Sequence, residues 1–273
     1  MTATGTANGE PLFRRTGDTY VPTAMTVGPW SPGALHGGPP TALLARAVEH
    51  VAASRGLQVS RLTVDLFRAV PMAPLQVRTK VVREGRRIVA VQASIIAGDV
   101  EVSRASGLLL LPSESDDTSP AEPPPPGPAG LPDLLSAMRG PGGERPFPPM
   151  FLDAVDARFV AGEGGDGQPA AWFRLPVPLV DGEEPTPFQR LAAVSDFGNL
   201  LANFDPSRRR GPGYINTDTT IYLLRYPVSE WVCLRAERRR VQGGLGLVEV
   251  AQFDEQGWYG HSAHARLANA RRS

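Results

Sequence analysis

Apolar residues recur at helical spacing over HGGPPTALLARAVEHVAAS (His36 to Ser54), where Leu43, Leu44, Ala47, Val48 and Val51 share one stripe. Two glycines precede the stripe, and Pro39 and Pro40 suit a first helical turn. The period then drops to two. Leu62, Val64, Leu66 and Val70 predict one strand, and Leu75, Val77, Thr79 and Val81 a second. Ile88 to Ile96 and Val100 to Leu111 follow, with REGRR and AGD as hairpin turns. After a long polar interval, FLDAVDARFVAG and QPAAWFRLPV predict a hairpin. Next, TPFQRLAAVSDFGNLLANF (Thr186 to Phe204) predicts one continuous helix with Thr186 as N-cap and Pro187 at its first position. Four strands complete the pattern: Tyr214 to Leu224, Trp231 to Arg239, Leu245 to Phe253 and Trp258 to Leu267.

A helix followed by an antiparallel meander thus occurs twice, which makes the chain α+β. The copies align residue by residue. Arg68 falls on Arg225, each with a proline within three residues, and Ser106 and His264 each lie 21 residues beyond the turn glycines Gly85 and Gly243. Between the copies, SESDDTSPAEPPPPGPAG and RGPGGERPFPP are too polar and proline-rich to bury a core of their own. Only Leu131 to Met138 offers a short apolar piece that could dock. The expected organisation is a first unit over 1–112, a linker over 113–149 and a second unit over 150–273.

Composition narrows the partners. Lys plus Arg and Asp plus Glu are 28 each, so no global basic field draws nucleic acid or an anionic membrane. Cys233 is the single cysteine, which excludes an intrachain disulfide. No apolar stretch reaches the ~20 residues that span a bilayer, and the N-terminus has no signal-peptide pattern. A cytoplasmic setting is expected. GEGGDG (Gly162 to Gly167) fits a dinucleotide fingerprint only in letters, because a strand-like AAWFRL follows it. DFG at Asp196 to Gly198 has no accompanying kinase segments. Four histidines, ill spaced, offer no metal site, and no cofactor motif remains.

Asp196 is the residue out of place. It falls mid-helix among Ala192, Ala193, Leu200 and Leu201, with Asn199 and Asn203 on its face. A carboxylate there is costly unless hydrogen-bonded. It suits either a base acting on water or an anchor to a neighbouring strand. Only the second helix is expected to carry a mid-helix acid; at the corresponding place the first has only Ala, Leu and Pro.

QRLAAVSDFGNLL from Gln189, INTDTTIYLLRYPVSEWVCLRAER from Ile215, and HGGPPTALLARAVE together resemble the double-hotdog acyl-CoA thioesterases, the TesB-like family. The resemblance implies a double hotdog, two units each with a long helix wrapped by a curved antiparallel sheet. It also implies hydrolysis of an acyl-CoA to free acid and coenzyme A, with no metal and no covalent intermediate. In that family a helix Asp, a polar residue before the next strand's Asp, and a last-strand Gln position the water. Here these fall on Asp196, on Asn216 (with neighbour Thr217) and on His264. Asn216 and His264 depart from the family's Thr and Gln. Histidine can hold a water when neutral but loses its acceptor when protonated. His36, Gly37 and Gly38, at the start of the first helix, and Thr217 are the expected substrate contacts, while the glycines fit equally a plain turn of the chain into the helix. The run Arg208 to Arg210 fits either coenzyme A phosphates or a solvated loop. A catalytically weak or inactive acyl-binding hotdog protein is the alternative, and another hotdog reaction, hydration or dehydration of a thioester, ranks after it. Association into a homo-oligomer is compatible with either.

Overall fold

Alternating β-branched and apolar positions give strands with one face buried, and here they assemble one antiparallel sheet. The computed structural model describes residues 9–114, 119–120, 122–133, 150–160, 168–203 and 213–269. Its elements run β1 (Phe13–Thr16), β2 (Thr19–Pro22), α1 (Gly38–Ala53), β3 (Gln58–Leu66), β4 (Leu75–Arg83), β5 (Ile88–Ala97) and β6 (Val100–Leu110). They continue with β7 (Asp156–Val160), β8 (Ala170–Arg174), α2 (Pro187–Ser195), α3 (Gly198–Asn203), β9 (Tyr214–Asn216), β10 (Asp218–Leu223), β11 (Val232–Gln242), β12 (Leu245–Asp254) and β13 (Gly257–Ala268). No helix among the described residues is long and apolar enough to cross a membrane.

The strand order is β1-β2-β4-β5-β6-β3-β10-β13-β12-β11-β8-β7, with β9 beside β13. Read outward from the central β3–β10 pair, both directions give the same sequence of roles: first strand, fourth, third, second, then a hairpin. The central pair is antiparallel and sets Thr63 opposite Thr220. Aligning Arg68 with Arg225 is an offset of 157, and that offset also carries Thr63 onto Thr220. A pseudo-twofold axis therefore passes between these two threonines. The same offset carries the bulge at Ile95/Ile96 onto the bulge at Gln252/Phe253.

Helices lie on one face. Leu43, Leu44 and Val48 of α1 and Leu191, Ala192 and Val194 of α2 are fully buried in a core shared by both halves. The helices also meet each other. A Cβ on Gly38 would come within 2.1 Å of the Ala193 carbonyl oxygen, so only glycine allows this approach.

Four expectations are revised. A hairpin, β1–β2, precedes α1 just as β7–β8 precedes α2; its signal was T-G-D-T, with Gly17 at φ +60. The second helix is not continuous. It stops at Ser195 with Asp196 as C-cap, because Phe197 N–H bonds to Val194 O, a three-residue step that breaks the four-residue ladder. The break lets Gly198 sit against the sheet, where a Cβ would lie 3.0 Å from His264 Nε2. Third, the counterpart of His264 is Gly107 rather than Ser106. Next to the Thr220–Ala263 pair of β10–β13, His264 lies within hydrogen-bond reach of Thr219, as Gly107 sits opposite Leu62 in β3–β6. A one-residue slip matters because it exchanges the faces of a strand. Finally, the first helix does carry a buried acid, Glu49.

Part of the interval between the halves is packed. Pro126 O accepts from Trp172 Nε1 at 2.6 Å and Glu122 O from the Trp258 amide at 2.9 Å. Leu131 covers the cluster of Trp172, Cys233, Ala251 and Phe253 on the sheet face away from the helices. Asp133 makes a bridge with Arg158. Residues 134–149 lie outside the described residues, as do Gly162 to Gly167, Arg208 to Arg210 and the side chain of Asn203.

Candidate active site

Three chain segments converge where the two halves meet. Gly37 and Gly38 begin α1, Asp196 ends α2, and Asn216 ends β9. Absence of a Cβ at Gly37 lets the carboxylate of Asp196 close in; a Cβ there would be 2.8 Å from Oδ2. Asn216 Nδ2 donates to Asp196 Oδ1 in a short hydrogen bond and to the Asp196 carbonyl at 3.2 Å. That carbonyl also accepts the Asn199 amide at 3.3 Å. Asn216 Oδ1 is buried and has no partner among the described residues.

His36 completes this cluster. Its Nδ1 lies 3.2 Å from Asp196 Oδ2 and accepts the Gly38 amide at 3.1 Å. Its ring packs tilted against both Phe151 and Phe197, at centroid distances of 5.0 and 5.2 Å, and those two rings stack on each other at 5.7 Å. Phe197 in turn stacks on Phe173 at 5.0 Å, closing the interior behind the histidine. Burial lowers the His36 pKa, and the Asp196 charge opposes that shift.

Asp196, His36, Gly37 and Asn216 line one cleft of about 400 Å³. At its mouth stand Trp30 and Phe67, 58% and 48% exposed, and Arg68. Arg68 makes no ion pair among the described residues.

The other expected residues stand elsewhere. Gly38 is buried at the helix contact. Thr217 is exposed and donates to Ala265 O at 3.0 Å. His264 is fully buried, with Nδ1 3.1 Å from Thr219 Oγ1 and Nε2 3.3 Å from Ser262 Oγ. It does not line the cleft but stands behind Gly198. Burial pushes its pKa down to about 4, with the Asp196 charge opposing and Arg266 adding to the shift.

Two buried charges were not anticipated. Arg266, 2% exposed, donates to Asn199 Oδ1 at 2.7 Å and lies over the Tyr214 ring. Burial lowers its pKa to about 10, with Arg239 adding to the effect. Alternation in HSAHARL sets Ser262, His264 and Arg266 on one face, and that polar row was the readable signal. Glu49 of α1 accepts from Thr186 Oγ1 and from Gln189 Nε2, the latter at 2.7 Å, both at the start of α2. It mirrors Asp196 at the start of α1. Side chains fill that second junction, where glycine leaves the first one open.

A family model described as the acyl-CoA thioesterase N-terminal domain matches residues 26–110, and one described as the acyl-CoA thioesterase C-terminal domain matches residues 117–265. None of the curated proteins compared matches the chain. Among solved structures, a candidate thioesterase from Novosphingobium aromaticivorans is 19% identical with a TM-score of 0.72, over 96% of this chain and 100% of its own. A tesB protein from Mycobacterium avium subsp. paratuberculosis is 17% identical with a TM-score of 0.67, over 94% and 95%. A hot dog fold protein of unknown function from Alicyclobacillus acidocaldarius is 17% identical with a TM-score of 0.68, over 94% and 96%. At these identities the likeness carries the fold alone, a hotdog-type antiparallel sheet with few helices.

Proposed function

Because the chain belongs to the acyl-CoA thioesterase family, we propose that it hydrolyses an acyl-CoA thioester with a water activated at Asp196. The reading rests above all on the Asp196 carboxylate, held by Asn216 and largely enclosed at the wall of the cleft. Water is a poor nucleophile, and a carboxylate that orients it and takes a proton supplies what is missing. Asn216 acts on that water through its bond to Asp196, since its own Oδ1 is buried. As the water adds to the carbonyl, negative charge grows on the thioester oxygen. At the start of α1 the Gly38 amide is taken by His36 and Pro39 and Pro40 have none, which leaves the Gly37 amide to meet that charge. In this reading His36, Gly37 and Gly38 bound the acyl end of the substrate. Arg68, Trp30 and Phe67 receive the phosphates and base of coenzyme A. Thr217 supports the site from the strand break, and His264 bears on it by packing behind Gly198.

The reading extends to a double hotdog with units over 1–112 and 150–273 and a linker over 113–149. The mirrored strand order and the Thr63–Thr220 axis support it. No metal takes part in the scheme, and the acyl-CoA is the sole partner it requires.

Free-thiol release from acyl-CoA thioesters of graded length tests the scheme. Asp196→Asn is expected to lower kcat by about 10²–10⁴-fold, the usual contribution of a general base, with KM little changed. Unchanged turnover in that variant would remove Asp196 from the reaction. Binding without any thiol release by the unaltered protein would favour the non-catalytic alternative.

A further inference from the structure

His36 lines the cleft and touches Asp196, yet the water-activation scheme gives its imidazole no chemical task. Its surroundings specify one. Nδ1 is 3.2 Å from Asp196 Oδ2 while accepting the Gly38 N–H at 3.1 Å. One ring nitrogen cannot donate to a carboxylate and accept from an amide simultaneously. With Nδ1 unprotonated, the amide bond is made, but the lone pairs of Nδ1 and Oδ2 face each other. A proton on Oδ2 turns that contact into an O–H···N hydrogen bond and leaves the Gly38 bond intact. Asp196 acquires such a proton when it deprotonates the attacking water.

The other ring nitrogen is placed to continue the transfer. An unprotonated Nδ1 puts the proton of the neutral imidazole on Nε2. No hydrogen bond to Nε2 occurs among the described residues. Nε2 is also not one of the fully buried polar atoms without a partner, so it keeps contact with the cleft. Phe151 and Phe197 pack against the ring, and the Gly38 amide on Nδ1 fixes which edge faces Asp196. His264 cannot take this part, because Thr219 and Ser262 hold its two nitrogens behind Gly198.

Resting on the thioesterase reading above, we propose that His36 is a catalytic residue that returns a proton to the departing sulfur. The water oxygen bonds to the acyl carbon, and one water proton moves to Asp196 Oδ2. On collapse, the C–S bond breaks with its electron pair on sulfur, and Nε2–H gives its proton to that sulfur. Asp196 passes its proton to Nδ1, so the carboxylate is restored and the ring stays neutral. The products are the carboxylic acid and the free thiol of coenzyme A. The ring regains its starting tautomer by proton exchange with water in the emptied cleft.

Leaving-group dependence separates this role from binding or packing. An alkyl thiol such as coenzyme A needs a proton as it departs; an aryl thiol, far more acidic, leaves unaided. His36→Phe keeps a ring against Phe151 and Phe197 and removes the proton. It is expected to lose about 10²-fold or more in kcat on an acyl-CoA, the low end for general acid–base catalysis. On the matching aryl thioester the loss should stay below tenfold. Equal losses on both substrates, or none on either, would overturn the proposal. Should His36→Phe not fold, the unaltered enzyme decides the matter. Rates that vary little across thiols of different acidity support proton donation, and a steep dependence refutes it. If the unaltered enzyme hydrolyses none of these thioesters, the thioesterase reading itself fails, which is a distinct result.

Discussion

At the scale of single residues, the chemistry is set by what surrounds each titratable group. Asp196 is aimed by Asn216 and reached across Gly37, and His36 packs against two phenylalanines. His264 is chemically similar to His36 but buried behind the helix break, so its proton affinity becomes a matter of stability. Its pKa falls to about 4 from an ordinary 6.5. Between those values the unfolded chain binds the proton and the folded chain does not. Stability is therefore lost as pH drops through that window. His264→Gln removes the titration and keeps a neutral hydrogen-bonding group between Thr219 and Ser262. From pH 7 to pH 4.5 the unfolding free energy should shift by about 2–3 kcal/mol in favour of the variant, relative to the unaltered protein. Urea titrations at the two pH values measure this. The other buried groups are common to both proteins and cancel, including Glu49, whose raised pKa acts in the opposite sense. A difference that does not change with pH would contradict the assignment.

At the scale of elements, two helix starts meet two helix ends, and the fillings differ. Where α2 ends at α1, glycines admit the Asp196 carboxylate and a cleft remains. Where α1 passes the start of α2, Thr186 caps the helix by accepting the Gln189 amide at 3.2 Å and donates to Glu49. Arg46 and Glu183 add a two-bonded ion pair, each contact 2.7 Å. Thr186→Ala removes the cap and one donor to a buried carboxylate. Loss of a cap and of such a partner should cost about 1–3 kcal/mol. Chemical denaturation checks it, while thiol release at saturating substrate should stay unchanged because the cleft lies at the other junction. The sheet contacts follow the same reciprocity: Val48 of α1 fits Gly107 of β6, and Gly198 of α3 fits His264 of β13. In each half one partner is large and the other has no side chain.

At the scale of the molecule, the pseudo-twofold axis joins the halves by β3–β10 pairing and by the α1–α2 contact. Neither half covers its own joining edge. Residues 1–112 alone would expose the β3 edge and the apolar flank of α1, a template for pairing with another copy. That fragment is expected to dimerise or aggregate, while co-expression with 113–273 should yield a soluble complex that copurifies. Size-exclusion chromatography decides, and a stable monomer of 1–112 would show that the halves are independent.

The repeated helix-and-meander, its α+β class and the long interval between the copies were determined by the sequence, because period and turn chemistry are local properties. Thr186 as a cap and the strands from Gln58 to Leu110 belong to that group. Asp196 was legible as an anomaly, since a carboxylate among alanines and leucines carries a cost wherever it folds. Tertiary structure alone decided the remainder. The helix break at Asp196 sets Gly198 against His264, residues 66 positions apart. Which of two histidines faces the cleft depends on strand register and on three phenylalanines from separate elements. The junction between halves stays open at Gly37 and is filled at Thr186 because of what the opposite helix brings. Such choices are made between distant segments, where no local pattern in either one records the other.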